Sequence, residues 1–114
     1  MPVKCREENR QLTAMVEGEL DHHRAREIME ELDRCIDEVR PRELTLDLKG
    51  LSFTDSSGIA VLLRAHRRMV QIQGAMRVVN TPSQADKVFQ AAGLGRLIQF
   101  ESSSHMEESG EGRS

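Results

Sequence analysis

The chain has 114 residues, enough for one two-layer core and too few for two domains. Its 19 acidic and 16 basic side chains give a net charge of −3 and are mixed along the chain, and three phenylalanines are its only aromatic residues. That excludes a basic field or stacking platform for nucleic acid, and the longest apolar run, Ile59 to Leu63, is far too short to span a membrane.

The elements follow in order. Val3 to Glu8 and Gln11 to Glu17 read as two strands of a hairpin around a turn at Asn9-Arg10, with Leu12, Ala14 and Val16 on one face. Gly18 breaks the second strand, and Asp21 stands where a helix N-cap belongs. Beyond it Ala25, Ile28, Met29, Leu32, Cys35, Ile36 and Val39 keep helical spacing, while Arg24, Glu27, Glu30, Glu31, Arg34, Asp37 and Glu38 cover the wet side. Pro41 ends this helix, because its ring pushes Arg40 out of helical dihedrals. Cys5 and Cys35 lack CxxC spacing and are expected as two reduced, half-buried thiols rather than a disulfide.

Glu43 to Leu48 alternates as a third strand and leads through Lys49 to Thr54 into a small polar corner, Asp55-Ser56-Ser57-Gly58. An apolar helix follows, with a stripe of Ile59, Leu62, Leu63, His66, Met69, Val70 and Gln73, and with Arg64, Arg67 and Arg68 on a solvated face. Gly74 is placed to terminate it. Met76 to Val79 is a fourth strand, and Thr81-Pro82 starts a third helix, with the hydroxyl as cap and proline in the first helical position. Ala85, Val88, Phe89 and Ala92 give that helix a buried stripe, Gly93 stops it, and Leu97, Ile98 and Phe100 form a last edge strand. Residues 1–100 are thus one α/β domain, a mixed sheet of four to five strands with helices packed chiefly on one face. The serine-, glycine- and glutamate-rich tail 101–114 is expected to be disordered.

The corner is a helix N-terminus with two hydroxyls at its mouth, where unpaired N–H groups and about half a positive charge tolerate a phosphate or carboxylate. Asp55, Ser56 and Ser57 all suit an N-cap, and Gly58 permits close approach by another surface. Either hydroxyl is free to face outward on spacing alone. His66 lies about 15 Å along the helix from Ser56, too far to abstract its proton, and no GxSxG elbow is present. Asp21-His22-His23 is a poor metal site, because adjacent helical histidines point about 100° apart and no third ligand is spaced nearby. No cofactor or metal is expected.

Asp55-Ser56-Ser57-Gly58-Ile59, preceded by Leu46-Asp47-Leu48 and Leu51-Ser52-Phe53, resembles the signature of the STAS domain family, specifically the bacterial anti-sigma factor antagonists. The likeness extends to Gly18-Glu19-Leu20-Asp21-His22-His23 and to Gly93-Leu94, covering about residues 3 to 100. The resemblance implies a non-enzymatic switch that binds an anti-sigma factor with serine kinase activity and is released when that partner phosphorylates the first serine, Ser56, until a serine phosphatase resets it. It also implies partner contacts at Glu19, Asp21, His22, Thr54, Asp55, Ser57, Gly58 and Ile59, with the missing side chain of Gly58 leaving room for the partner's nucleotide. The protein is expected to be cytoplasmic, monomeric or weakly dimeric, and to bind neither nucleic acid nor membrane. The alternatives are a constitutive STAS scaffold of a stress-sensing or lipid-transport complex, and a module binding a nucleotide or other anion at the helix end.

Overall fold

Asn9 and Arg10 both adopt positive φ, 53° and 64°, the handedness of a tight two-residue hairpin turn. In the computed structural model, which describes residues 2–101, this turn joins β1 (Val3–Glu8) to β2 (Gln11–Val16) in antiparallel register. β3 (Gly18–Leu20) and α1 (His22–Val39) follow, then β4 (Glu43–Asp47), β5 (Leu51–Thr54), α2 (Ser57–Gln71), β6 (Ala75–Val79) and α3 (Ser83–Ala91). A 3-10 turn at Leu94–Arg96 leads to β7 (Gln99–Glu101).

The main sheet has the order β1-β2-β4-β6-β7, parallel except for the opening hairpin. Its register stacks Leu12 beside Leu44 and Met76, and Ala14 beside Leu46 and Val78, so one face is a continuous buried layer. Against that layer pack Ile28, Leu32 and Ile36 of α1, Val61, Leu62 and Met69 of α2, and Phe89 of α3. Thr13, Met15, Thr45, Asp47 and Arg77 on the opposite face stay half-exposed. The expected mixed sheet with helices on one face is what the chain forms.

β3 and β5 are additional to the expected strands. They are short, three and four residues, and pair in parallel only with each other, which leaves too little alternation to read. Gly18 takes φ 86° and enters β3 rather than simply ending β2. This small ribbon matters for the site, because its register sets Leu20 beside Thr54 and so brings Asp21 and Asp55 together.

Several helix details differ from expectation. Glu31, assigned to the wet side of α1, is 5% exposed and accepts the Val3 N–H at 3.2 Å. An edge strand has N–H groups turned away from its neighbour, and this carboxylate satisfies one of them. The buried face of α2 is Gly58, Val61, Leu62, Ala65 and Met69, whereas Val70 is 57% exposed. Gly58 and Ala65 share that face with Val61, Leu62 and Met69, so small residues complete a stripe that large ones also fill. Arg64 and Arg68 are not on a merely solvated face: Arg64 meets Asp33 of α1 at 2.7 Å, and Arg68 pairs with Asp33 and Asp37. Near the end of α2 it is Gln73 that turns left-handed, at φ 61°. Gly74 is needed for a different reason, since a Cβ there would lie 2.5 Å from Met69 Cε and 2.9 Å from the Arg42 carbonyl oxygen. α3 starts one residue late, with Pro82 extended at the N-cap and Thr81 Oγ1 left without a partner among the described residues. Asp21 does cap α1, accepting from the His23 and Arg24 N–H groups, and Arg40 leaves the helix ahead of Pro41 in the left-handed region, at φ 46°, rather than extended. Glu101, placed in the tail, closes β7; the rest of that tail lies outside the described residues.

Candidate functional site

Thr54 fixes the corner from below. It is fully buried, its hydroxyl lies 3.0 Å from the Leu20 carbonyl, and its backbone is clamped by the Gln84 side-chain amide, which accepts from Thr54 N at 3.1 Å and donates to Thr54 O at 2.8 Å. The strand end of the turn is thereby tied on two sides, through the Thr54 hydroxyl to β3 and through its backbone to α3. Gln84 carried no signal in the sequence, being an ordinary polar residue thirty positions away on another helix.

Asp55 then organises the start of α2. Its Oδ1 accepts the Ser57 N–H at 2.7 Å, and its own carbonyl accepts the Gly58 N–H at 3.0 Å. The Ser57 N–H, followed by the Ser57 hydroxyl and then the His22 N–H and imidazole, holds the Asp55 carboxyl below its usual range against a smaller opposing effect of desolvation. Asp55 is therefore an anion at the start of α2, stabilised mainly by the first turn of that helix and in smaller part by the first residue of α1.

The consequence for the two serines is direct. Ser57 is half-buried, donates its N–H to Asp55 at 2.7 Å, and its hydroxyl helps to hold the Asp55 carboxyl low. Ser56 occupies the N-cap position at φ −64° and ψ −14°, is exposed, and makes no side-chain capping bond. The capping that sequence allowed to three residues falls to Asp55, which leaves the Ser56 hydroxyl the uncommitted one.

The other expected contacts divide in two. Glu19, Asp21, His22, Asp55 and Ile59 reach the same end of the molecule, partly or fully exposed, with Glu19 paired in register with Phe53. Phe53 is itself 42% exposed, an aromatic at this edge that the sequence did not single out. Thr54 and Gly58, by contrast, are buried and offer nothing to an outside surface. A Cβ on Gly58 would sit 2.2 Å from Thr54 Oγ1 and 3.2 Å from both Leu20 Cδ2 and Phe89 Cε1. The missing side chain thus makes room for the protein's own core, not for a partner's nucleotide. His22 and His23 stack with ring centroids 4.1 Å apart, and the Asp21 carboxylate is spent on its cap. His66 is half-buried on α2. Among the described residues no helix is long and apolar enough to cross a membrane.

Comparison with known proteins agrees with this geometry. Residues 3–107 match the STAS domain family. An anti-sigma F factor antagonist of Lysinibacillus sphaericus is 36% identical over 78 residues, covering 68% of this chain and 67% of that protein. One from Paenibacillus polymyxa is 30% identical, covering 76% and 74%. Among solved structures, the anti-sigma factor antagonist SpoIIAA in its unphosphorylated form superposes with a TM-score of 0.74 at 25% identity, covering 98% of both chains. The Bacillus cell fate determinant SpoIIAA in its phosphorylated form gives 0.66 at 27% identity, covering 86% and 89%. With its hairpin, its short β3–β5 ribbon and its Asp-Ser-Ser-Gly corner, this chain belongs to the STAS domain family, among relatives that are anti-sigma factor antagonists.

Proposed function

We propose that this protein is an anti-sigma factor antagonist that works by partner switching, with Ser56 as the modified residue. Unmodified, it binds an anti-sigma factor and so frees a sigma factor for transcription. The partner is itself a serine kinase: Ser56 Oγ attacks the γ-phosphorus of ATP in line, the bond to the ADP oxygen breaks, and the hydroxyl proton passes to a base on the kinase. A serine phosphatase returns the chain to its binding form. The supporting observation is the asymmetry of the two hydroxyls, with Ser57 held by Asp55 and Ser56 exposed beside it.

The charge argument explains why modification would act on the partner rather than on the fold. A phosphate brings about −1.5 to −2 charges. The α2 N-terminus offsets part of that by about 0.3–1 kcal/mol, and the ionised Asp55 next to it opposes. The domain can carry this charge into water at little net cost. A docked partner excludes that water, and like charge there costs several kcal/mol; since 1.4 kcal/mol is about tenfold, a loss of about 3 kcal/mol exceeds a hundredfold. Incubation with ATP and an anti-sigma factor that has serine kinase activity, followed by intact mass and peptide mapping, tests the assignment. One phosphate on Ser56, and none on Ser56→Ala, is expected. Binding without any phosphate transfer would instead favour a constitutive scaffold.

A further inference from the structure

The N-terminal edge of the sheet holds a pair of sulfurs that the partner site does not use. β1 runs antiparallel to β2, and α1 crosses back between the parallel strands β2 and β4, so β1 and α1 run in the same direction. Val3 and Cys5 share the face of β1 turned toward α1, one strand period apart, and Glu31 and Cys35 are one helical turn apart on α1. Two strand residues advance about 6.6 Å and one helical turn about 6 Å, so the two ladders stay in step. The lower rung is already closed, since Glu31 Oε1 accepts the Val3 N–H at 3.2 Å. The next rung is Cys5 against Cys35, and the Cys35 thiol is near enough to act electrostatically on Cys5. Ala14 beside Cys5 in β2 is small and leaves that rung uncrowded. Cys5 is exposed, not half-buried as its sequence pattern implied, while Cys35 is half-buried.

We propose that Cys5 and Cys35 are a disulfide-forming pair, oxidised by a small-molecule disulfide of the glutathione class to a bond that staples β1 to α1. One cysteine, as thiolate, attacks a sulfur of oxidised glutathione; that S–S bond breaks and one glutathione leaves as thiolate. The second cysteine loses its proton to solvent and attacks the protein-bound sulfur of the mixed disulfide, expelling the other glutathione. Two electrons pass from the protein sulfurs to glutathione, which ends as two thiols.

Although the residue as a whole is exposed, the partial burial of its sulfur against α1 and then the neighbouring Cys35 thiol push Cys5 from 9.0 up to about 12, with Arg34 lowering it and Glu31 raising it. Cys5 is therefore held as a thiol near neutral pH, and exchange should run faster at about pH 9 than at about pH 7.

The test is to treat the whole chain with excess oxidised glutathione, quench with an alkylating reagent, and record intact mass. The expected product has lost two hydrogens, takes up no alkylating reagent, and yields a Cys5–Cys35 cross-linked peptide. Closing a loop of about thirty residues should raise Tm by roughly 10 °C, reversed by dithiothreitol. Cys35→Ser should instead retain one glutathione on Cys5, because the resolving sulfur is gone. The proposal is overturned if the parent keeps a glutathione on each cysteine, if both remain open to alkylation, or if Cys5 links two copies of the chain.

Discussion

Ser56 and Ser57 differ by one peptide unit, and a single carboxylate takes the N–H of the second while the first stays exposed. Because Asp55 is stabilised as an anion by the Ser57 N–H and by His22, its folded value lies below the unfolded one. It therefore contributes stability above the unfolded carboxyl range, and that contribution disappears as pH falls through the lower folded value. Asp55→Asn should accordingly melt below the parent near neutral pH, with the gap closing as pH drops from about 5 to about 3. A gap that stays constant across that range would mean the charge does nothing. Gly58 allows a sharper test of the same corner. With Thr54 Oγ1 2.2 Å from the position of an added Cβ, Gly58→Ala should destabilise by about 1–3 kcal/mol in urea unfolding, despite the better helix propensity of alanine.

At the scale of elements, the Glu31 rung holds the hairpin to α1. Glu31→Ala leaves the Val3 N–H of the edge strand without its acceptor and should cost about 1–3 kcal/mol of unfolding free energy. Glu31→Gln keeps a carbonyl acceptor and should lose less. A carboxylate on the charged side of the helical pattern that is buried under an edge strand shows where sequence reading stops. Strict period-two and period-3.6 patterns made the strands at Leu12 and Leu44 and all three helices legible, because each buries one face against a common layer. β3 and β5 escaped because neither exceeds two alternations and each is stabilised by the other, across more than thirty residues. The same holds at the site. The N-capping chemistry of the corner was readable, but the bidentate grip of Gln84 on Thr54 and the inward role of Gly58 depend on α3 closing over the corner, which no local pattern announces. The acid–base seam of Asp33, Asp37, Arg64 and Arg68 joins two helices whose relative rotation only packing decides.

For the whole molecule, the fold acts as a rigid mount: two helix starts and a two-stranded ribbon converge so that Ser56 stands in solvent while everything directly beneath it is tied to the core. A switch built this way changes what the surface repels and leaves the interior alone. Salt should then modulate the switch only in part, because the Debye length at about 0.15 M is near 8 Å and exposed charges are screened while those buried at an interface are not. The most direct measurement is titration calorimetry of the anti-sigma factor against the parent, Ser56→Ala, Ser56→Asp and the Ser56-phosphorylated protein, with Tm recorded for each. Parent and Ser56→Ala should bind alike, the two charged forms should bind at least a hundredfold more weakly, and all four should melt within a few degrees of one another. Equal affinity for the phosphorylated and unmodified protein, or loss of binding that tracks a collapse in Tm, would contradict a switch that works by surface charge at Ser56.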